Sequence, residues 1–102
     1  DPTGRFAYVA NFGDSTVSTY TINASTGALT AVGAAVTAGT SPSAVTVDAS
    51  GQFAYVANSG SGNVSTYTIN ASTGALTQVG TAVAAGLNPV SIITLGELVD
   101  AM

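Results

Sequence analysis

Cysteine, histidine and lysine are all missing from this chain, and Arg5 is the only basic side chain in 102 residues. Without Cys, no disulfide framework and no thiolate metal site can form. Without His, Cys or Lys, the commonest general base and two common nucleophiles are absent as well. One Arg cannot displace the counterions of a nucleic acid, which excludes nucleic acid as a partner. Attraction to an anionic membrane surface is excluded on the same ground. Charged residues make up 6% of the chain, against about 25% in an average protein. Polarity is carried instead by Ser, Thr, Asn and Gly, which are strand and turn residues. No apolar run approaches the roughly 18 residues of a membrane-crossing helix, and no signal peptide is visible. Asp1 is not an initiator Met, so the chain reads as processed or cut from something longer. Its low Lys content and its richness in Ser, Thr, Gly and Ala point to an exported bacterial protein.

What is present is a repetition. FAYVANFGDSTVSTYTINASTGAL at 6–29 returns as FAYVANSGSGNVSTYTINASTGAL at 53–76. The offset is 47 residues, and aligning 1–47 with 48–94 gives 30 identical positions of 47 by direct count. A fixed period of this size marks a repeat architecture. We divide the chain into a first repeat at 1–47, a second at 48–94 and a tail at 95–102. The tail, LGELVDAM, stands where the motif should begin a third time. Apolar residues are 46% of the chain and its net charge is −4, values that suit a folded domain rather than a disordered one.

Each repeat reads as four short strands. DPTGR at 1–5 and DASGQ at 48–52 are turns in which Asp bonds its own backbone two residues on. Phe6–Asn11 and Phe53–Asn58 are strands with apolar residues on both faces, expected to be buried on both sides. Hairpin loops follow at 11–16 and 58–63. Val17–Asn23 and its counterpart at 64–70 are β-branched strands. Asn23-Ala24-Ser25-Thr26-Gly27 turns the chain into a third strand, Ala28–Val32, continuing irregularly to Val36, with 75–83 as its equivalent. After the Gly39-Thr40-Ser41-Pro42 turn comes a fourth strand, Ser43–Val47, and after Pro89 its equivalent at 90–94. Four hairpin-linked strands in about 47 residues are the unit of a β-propeller blade. A parallel β-helix or other solenoid is the competing reading, and its shorter coils suit this unit poorly.

The repeated FAYVAN resembles the YVTN repeat. The wider pattern, D-x-[ST]-G-x-F-A-Y-V-A-N, then V-S-x-Y-x-I-x-x-x-T-G-A-L, then G-x-x-P, is similar to lactonase-like seven-bladed propellers. That family includes 6-phosphogluconolactonase-like enzymes. The resemblance covers about 1–94 and implies a fold: the strand after Pro42 or Pro89 innermost, FAYVAN second, VSTYTIN third and the strand after Gly27 or Gly74 outermost. One blade is then complete and the other is split between the two ends of the chain. Two blades cannot close a ring. The expected partners are therefore further blades, either by homo-oligomerisation as a trimer or tetramer or from a longer parent chain.

The residues assign no catalytic, cofactor-binding or metal-binding site, and no cofactor is expected. Asp1 and Asp48 hold equivalent turn positions. Asp14 becomes Ser61 in the second repeat, and Glu97 and Asp100 lie in the tail. Arg5 aligns with Gln52, and the pairs Tyr8/Tyr55 and Tyr20/Tyr67 read as blade core or blade interface. Asn23, Asn63 and Asn70 sit in N-x-[ST] patterns, which chance supplies often. The functional expectation is a non-catalytic propeller-repeat module with a structural or interaction role. The alternatives are a fragment of a lactonase-like hydrolase whose catalytic residues lie in absent blades, or an engineered two-blade building block.

Overall fold

The computed structural model describes residues 4–94. The expectations placed on Asp1, Glu97, Asp100 and the tail lie outside the described residues. The fold is all-β, two antiparallel sheets in sequence. The first contains β1 (Phe6–Asn11), β2 (Thr16–Ile22), β3 (Leu29–Ala31) and β4 (Val36–Thr37). The second contains β5 (Pro42–Val47), β6 (Phe53–Asn58), β7 (Asn63–Ile69), β8 (Leu76–Gln78) and β9 (Val83–Ala84). Its order is β5-β6-β7-β8, with β9 also pairing β7. The first sheet has the same order without the innermost strand: β1-β2-β3, with β4 also on β2. The chain is thus a partial propeller, one blade complete and one lacking its inner edge.

Alternation decides which side chains meet. In β1, Phe6, Tyr8 and Ala10 stand opposite Thr21, Thr19 and Val17 of β2. Period 2 puts all six on one face. In β6, Ala54 and Val56 stand opposite Tyr67 and Ser65 of β7, and these four are buried. The two faces pack on each other: Val17, Ala54, Val56, Tyr67 and Leu76 form one core cluster, with Tyr8, Val36, Ala38, Val45, Val47 and Ile69 against it. This core is the seam between the two blades.

Three expectations change. The outermost strand of each blade is two pieces. On β2 the partner changes from Ala31 at Tyr20 to Val36 at Val17, three residues back on one strand against five forward on the other. The two extra residues bulge out between β3 and β4, and β8 and β9 repeat the break. Residues 90–94 form no strand. They run beside β5, where the Ser43 hydroxyl donates to the Pro89 carbonyl at 2.8 Å and the Thr94 hydroxyl to the Val47 carbonyl at 3.3 Å. Among the described residues no antiparallel neighbour supplies the ladder that would make them a strand. Burial of both faces is realised more fully in β6 than in β1. Val56 is fully buried while its equivalent Val9 is 42% exposed.

Candidate functional site

Two places gather polar or unpartnered groups: the rim made by the hairpin loops, and the outer faces of the two blades. At the rim, the loop at 38–42 lies against the hairpin loop at 59–62. The backbone N–H groups of Ser59 and Gly60 donate to the carbonyls of Ser41 and Thr40 at 2.9 and 3.0 Å. The Thr40 N–H donates to the Ser61 hydroxyl at 2.7 Å. Beneath this contact sits Asn58, with no exposed surface. Its Oδ1 accepts from the Gly39 N–H at 3.1 Å. Its Nδ2 donates to Asn63 Oδ1 and Ser65 Oγ, both at 2.9 Å. One side chain thus ties the inner-strand loop of its own blade to the hairpin beside it.

Asn11 is the same residue one repeat earlier. Its Nδ2 donates to Thr16 Oγ1 at 3.1 Å and Ser18 Oγ at 2.8 Å. Its Oδ1 receives no donor among the described residues. Neither Asn stood out in the sequence reading. The available signal was that both end a FAYVAN strand at the same repeat position.

The other singled-out residues take structural places. The Asp48 carboxylate closes its turn, accepting from the Gln52 and Phe53 N–H groups at 3.1 and 3.2 Å and from the Ser50 hydroxyl at 2.8 Å. Desolvation is the largest single influence on Asp48 and pushes its pKa up. The hydrogen bonds from Ser50, Phe53, Gln52 and Gly51 together outweigh it and hold the carboxyl below its ordinary value. Asp14 is exposed. The Arg5 guanidinium lies 4.9 Å over the Phe6 ring. Asn23 and Asn70 cap their own turns, each Oδ1 accepting two backbone N–H groups.

Two tyrosines stitch the seam. Tyr8 donates to the Gly74 carbonyl and Tyr67 to the Thr37 carbonyl, both at 2.7 Å. Burial raises the pKa of both phenols; Arg5 beside Tyr8 and the Ser65 hydroxyl beside Tyr67 work the other way. Gly74 adopts φ +82°, and a Cβ there would stand 2.5 Å from the Phe6 ring. The structure thus places one member of each aromatic pair, Tyr8 and Tyr67, in the seam and leaves Tyr20 and Tyr55 half-buried on the opposite faces of their sheets. Among the described residues no group of three or more His, Cys, Asp or Glu could hold a metal ion.

The sheet order and the innermost strand after Pro42 are those of a propeller blade, and the sequence matches the family model of lactonases with a seven-bladed β-propeller over residues 1–93. The chain belongs to this family. Among solved propeller lactonases, it superposes on a candidate 6-phosphogluconolactonase from Bacteroides fragilis with a TM-score of 0.80 and 23% identity, over 87% of this chain and 25% of that one. The periplasmic gluconolactonase of Pseudomonas aeruginosa gives a TM-score of 0.80 and 26% identity, over 89% of this chain and 25% of that one. The chain thus spans about a quarter of the length of the solved propeller lactonases it matches. No curated protein sequence matches it. No helix among the described residues is long and apolar enough to cross a membrane.

Proposed function

We propose that this chain is a non-catalytic propeller module that works by packing against further blades. One observation carries the reading. Asp48 and Asn58 are consumed within turns and loops and Tyr8 and Tyr67 across the seam, Asp14 stands in solvent in a chain with no His, Cys or Lys to work beside it, and the outer blade faces leave large apolar side chains in solvent. The repeats at 1–47 and 48–94 are its two units. Export from the cell fits the composition and the periplasmic gluconolactonase among the similar structures.

The test is incubation of the purified chain with gluconolactone and 6-phosphogluconolactone, following acid release. The expected rate is that of the uncatalysed lactone. A rate that scales with protein concentration would overturn the proposal.

A second reading is favoured by the quarter-length coverage of the solved relatives: a piece of a lactonase-like hydrolase whose catalytic groups lie on other blades. Sequencing the gene on both sides of this segment checks it. Further blades in the same reading frame, with His, Arg and Glu in their inner loops, support it; flanking stop codons dismiss it.

A further inference from the structure

The seam between the two blades has a counterpart that this chain leaves open at both ends. The first blade gives the seam Phe6, Tyr8, Val17, Val36 and Ala38; the second gives it Ala54, Val56, Tyr67, Ile69 and Leu76. Shifted forward by one repeat, the first set becomes Phe53, Tyr55, Val64, Val83 and Ala85, on the outer face of the second blade. Shifted back, the second set becomes Ala7, Val9, Tyr20, Ile22 and Leu29, on the outer face of the first. Every one of these ten residues is identical to its counterpart. The chain therefore carries both halves of its own seam on opposite outer faces. The exposures agree: Leu29 is 53% exposed where Leu76 is 7%, and Val83 is 67% exposed where Val36 is half-buried.

We infer that a second copy of this chain docks head to tail, its second blade against the first blade of its neighbour, repeating the internal seam. The inference takes from the proposed function only that the chain works with further blades. Its register follows from the pairing of β5 with β6, where Val45 stands opposite Val56 and Val47 opposite Ala54. Residues 89–94 of one copy then pair with β1 of the next, with Ile92 opposite Val9 and Thr94 opposite Ala7. That ladder turns 90–94 into the innermost strand of the incomplete blade. Three hydrogen bonds of the internal seam recur. Tyr55 donates to the neighbouring copy's Gly27 carbonyl, as Tyr8 does to Gly74. Tyr20 donates to the carbonyl of the preceding copy's Ala84, as Tyr67 does to Thr37. The Gly86 N–H reaches Asn11 Oδ1, as Gly39 reaches Asn58. The interface is heterologous, and it closes into a ring rather than an open filament where the blade-to-blade turn of the internal seam, repeated, comes back on itself. Copies of a two-blade chain give only even blade numbers, so the ring has six or eight blades from three or four copies in place of the seven of the family.

The experiment uses the full chain, which has no native Cys, and two variants, Val9→Cys and Ile92→Cys. Cross-strand neighbours stand within disulfide reach. The two variants are mixed, oxidised and run without reductant, and the unmodified chain is weighed by light scattering. A covalent product of one copy of each variant, with a native mass three or four times 9.9 kDa, is expected. A mass of one chain at every concentration up to the solubility limit would overturn the inference. So would covalent dimers of the Val9→Cys chain alone, which would mean a symmetric dimer through the first blade. Val9→Asp places a charge on a residue already 42% exposed, so the single chain still folds; it is expected to lose the oligomer while keeping its β spectrum. Retention of the oligomer in Val9→Asp would also overturn the docking. Lactone hydrolysis by the assembled chain would overturn the non-catalytic proposal and leave the docking untouched.

Discussion

Tyr67 and Tyr55 show how much a single residue's weight depends on what faces it. Tyr67 is 1% exposed and holds the Thr37 carbonyl across the seam. Tyr55 is only half-buried on the outer face of the same sheet. Tyr67→Ala is therefore expected to cost about 3–5 kcal/mol, the range for emptying a large aromatic site, and Tyr55→Ala about 1 kcal/mol in the isolated chain. Urea unfolding of both variants checks the order. Equal losses would mean the FAYVAN strand is buried on both sides after all. Gly74 and Gly27 make a parallel pair. Both have positive φ, so Ala at either is strained by about 1–2 kcal/mol. Only at Gly74 does the added Cβ meet the Phe6 ring, whereas Gly27 has open space. Gly74→Ala should cost about 1–3 kcal/mol more than Gly27→Ala, the usual penalty of overpacking, read as the difference in unfolding midpoints.

The same residues set the pH range. Asp48 is held below its ordinary pKa, so its contribution is present above the unfolded value of about 4 and is lost as pH falls through the lower folded value. Tyr8 and Tyr67 are raised above 10, so theirs is present below about 10 and is lost as pH rises through the folded values, when ionisation removes the donor of each hydrogen bond. Stability should be flat between about pH 5 and 9 and decline on both sides. Tyr67→Phe should soften the alkaline decline and Asp48→Asn the acid one, both measured by thermal unfolding across the pH range. An alkaline limb unchanged in Tyr67→Phe would remove Tyr67 from this account.

Among the elements, the central strands carry the order. β6 and β7 are paired on both edges, whereas β3, β4, β8 and β9 are two or three residues long and lie at sheet edges. Amide exchange should accordingly be slowest in 54–58 and 64–67 and fast in 29–31, since exchange tracks local opening. Comparable protection of Leu29–Ala31 and Ala54–Ala57 would contradict this. Legibility followed the same divide. The long strands show β-branched alternation, and their turns show Asn, Thr and Gly at fixed places, so local chemistry was enough to find them. The break in the outer strand was only half visible, because Val32 and Val36 continue an apolar pattern that two extra residues interrupt. Residues 90–94 look like a strand because their composition resembles 43–47, yet a strand exists only where a neighbour completes its hydrogen bonds. The linking role of Asn58 was hidden for a related reason: its partners, Gly39 and Ser65, come from two other segments of the chain.

At the scale of the whole molecule, burial separates identical sequences. Val9 and Val56 are the same residue in the same six-residue motif, and one is exposed while the other is not. No local reading distinguishes them, since the difference is only whether a blade stands on the far side. Stability must then depend on supplying that blade. If copies dock through these faces, folding is linked to association, and anything that binds only the folded state raises the unfolding temperature with its concentration. The midpoint of thermal unfolding should therefore climb as the chain is concentrated. Each tenfold increase strengthens the associated state by about 1.4 kcal/mol for each further chain added to the first. In Val9→Asp the midpoint should be independent of concentration and should match the dilute limit of the unmodified chain. Calorimetry over a hundredfold range of protein concentration distinguishes the cases. A concentration-independent midpoint in both proteins would mean that the exposed seam halves stay in water and that each chain is held by its internal seam alone.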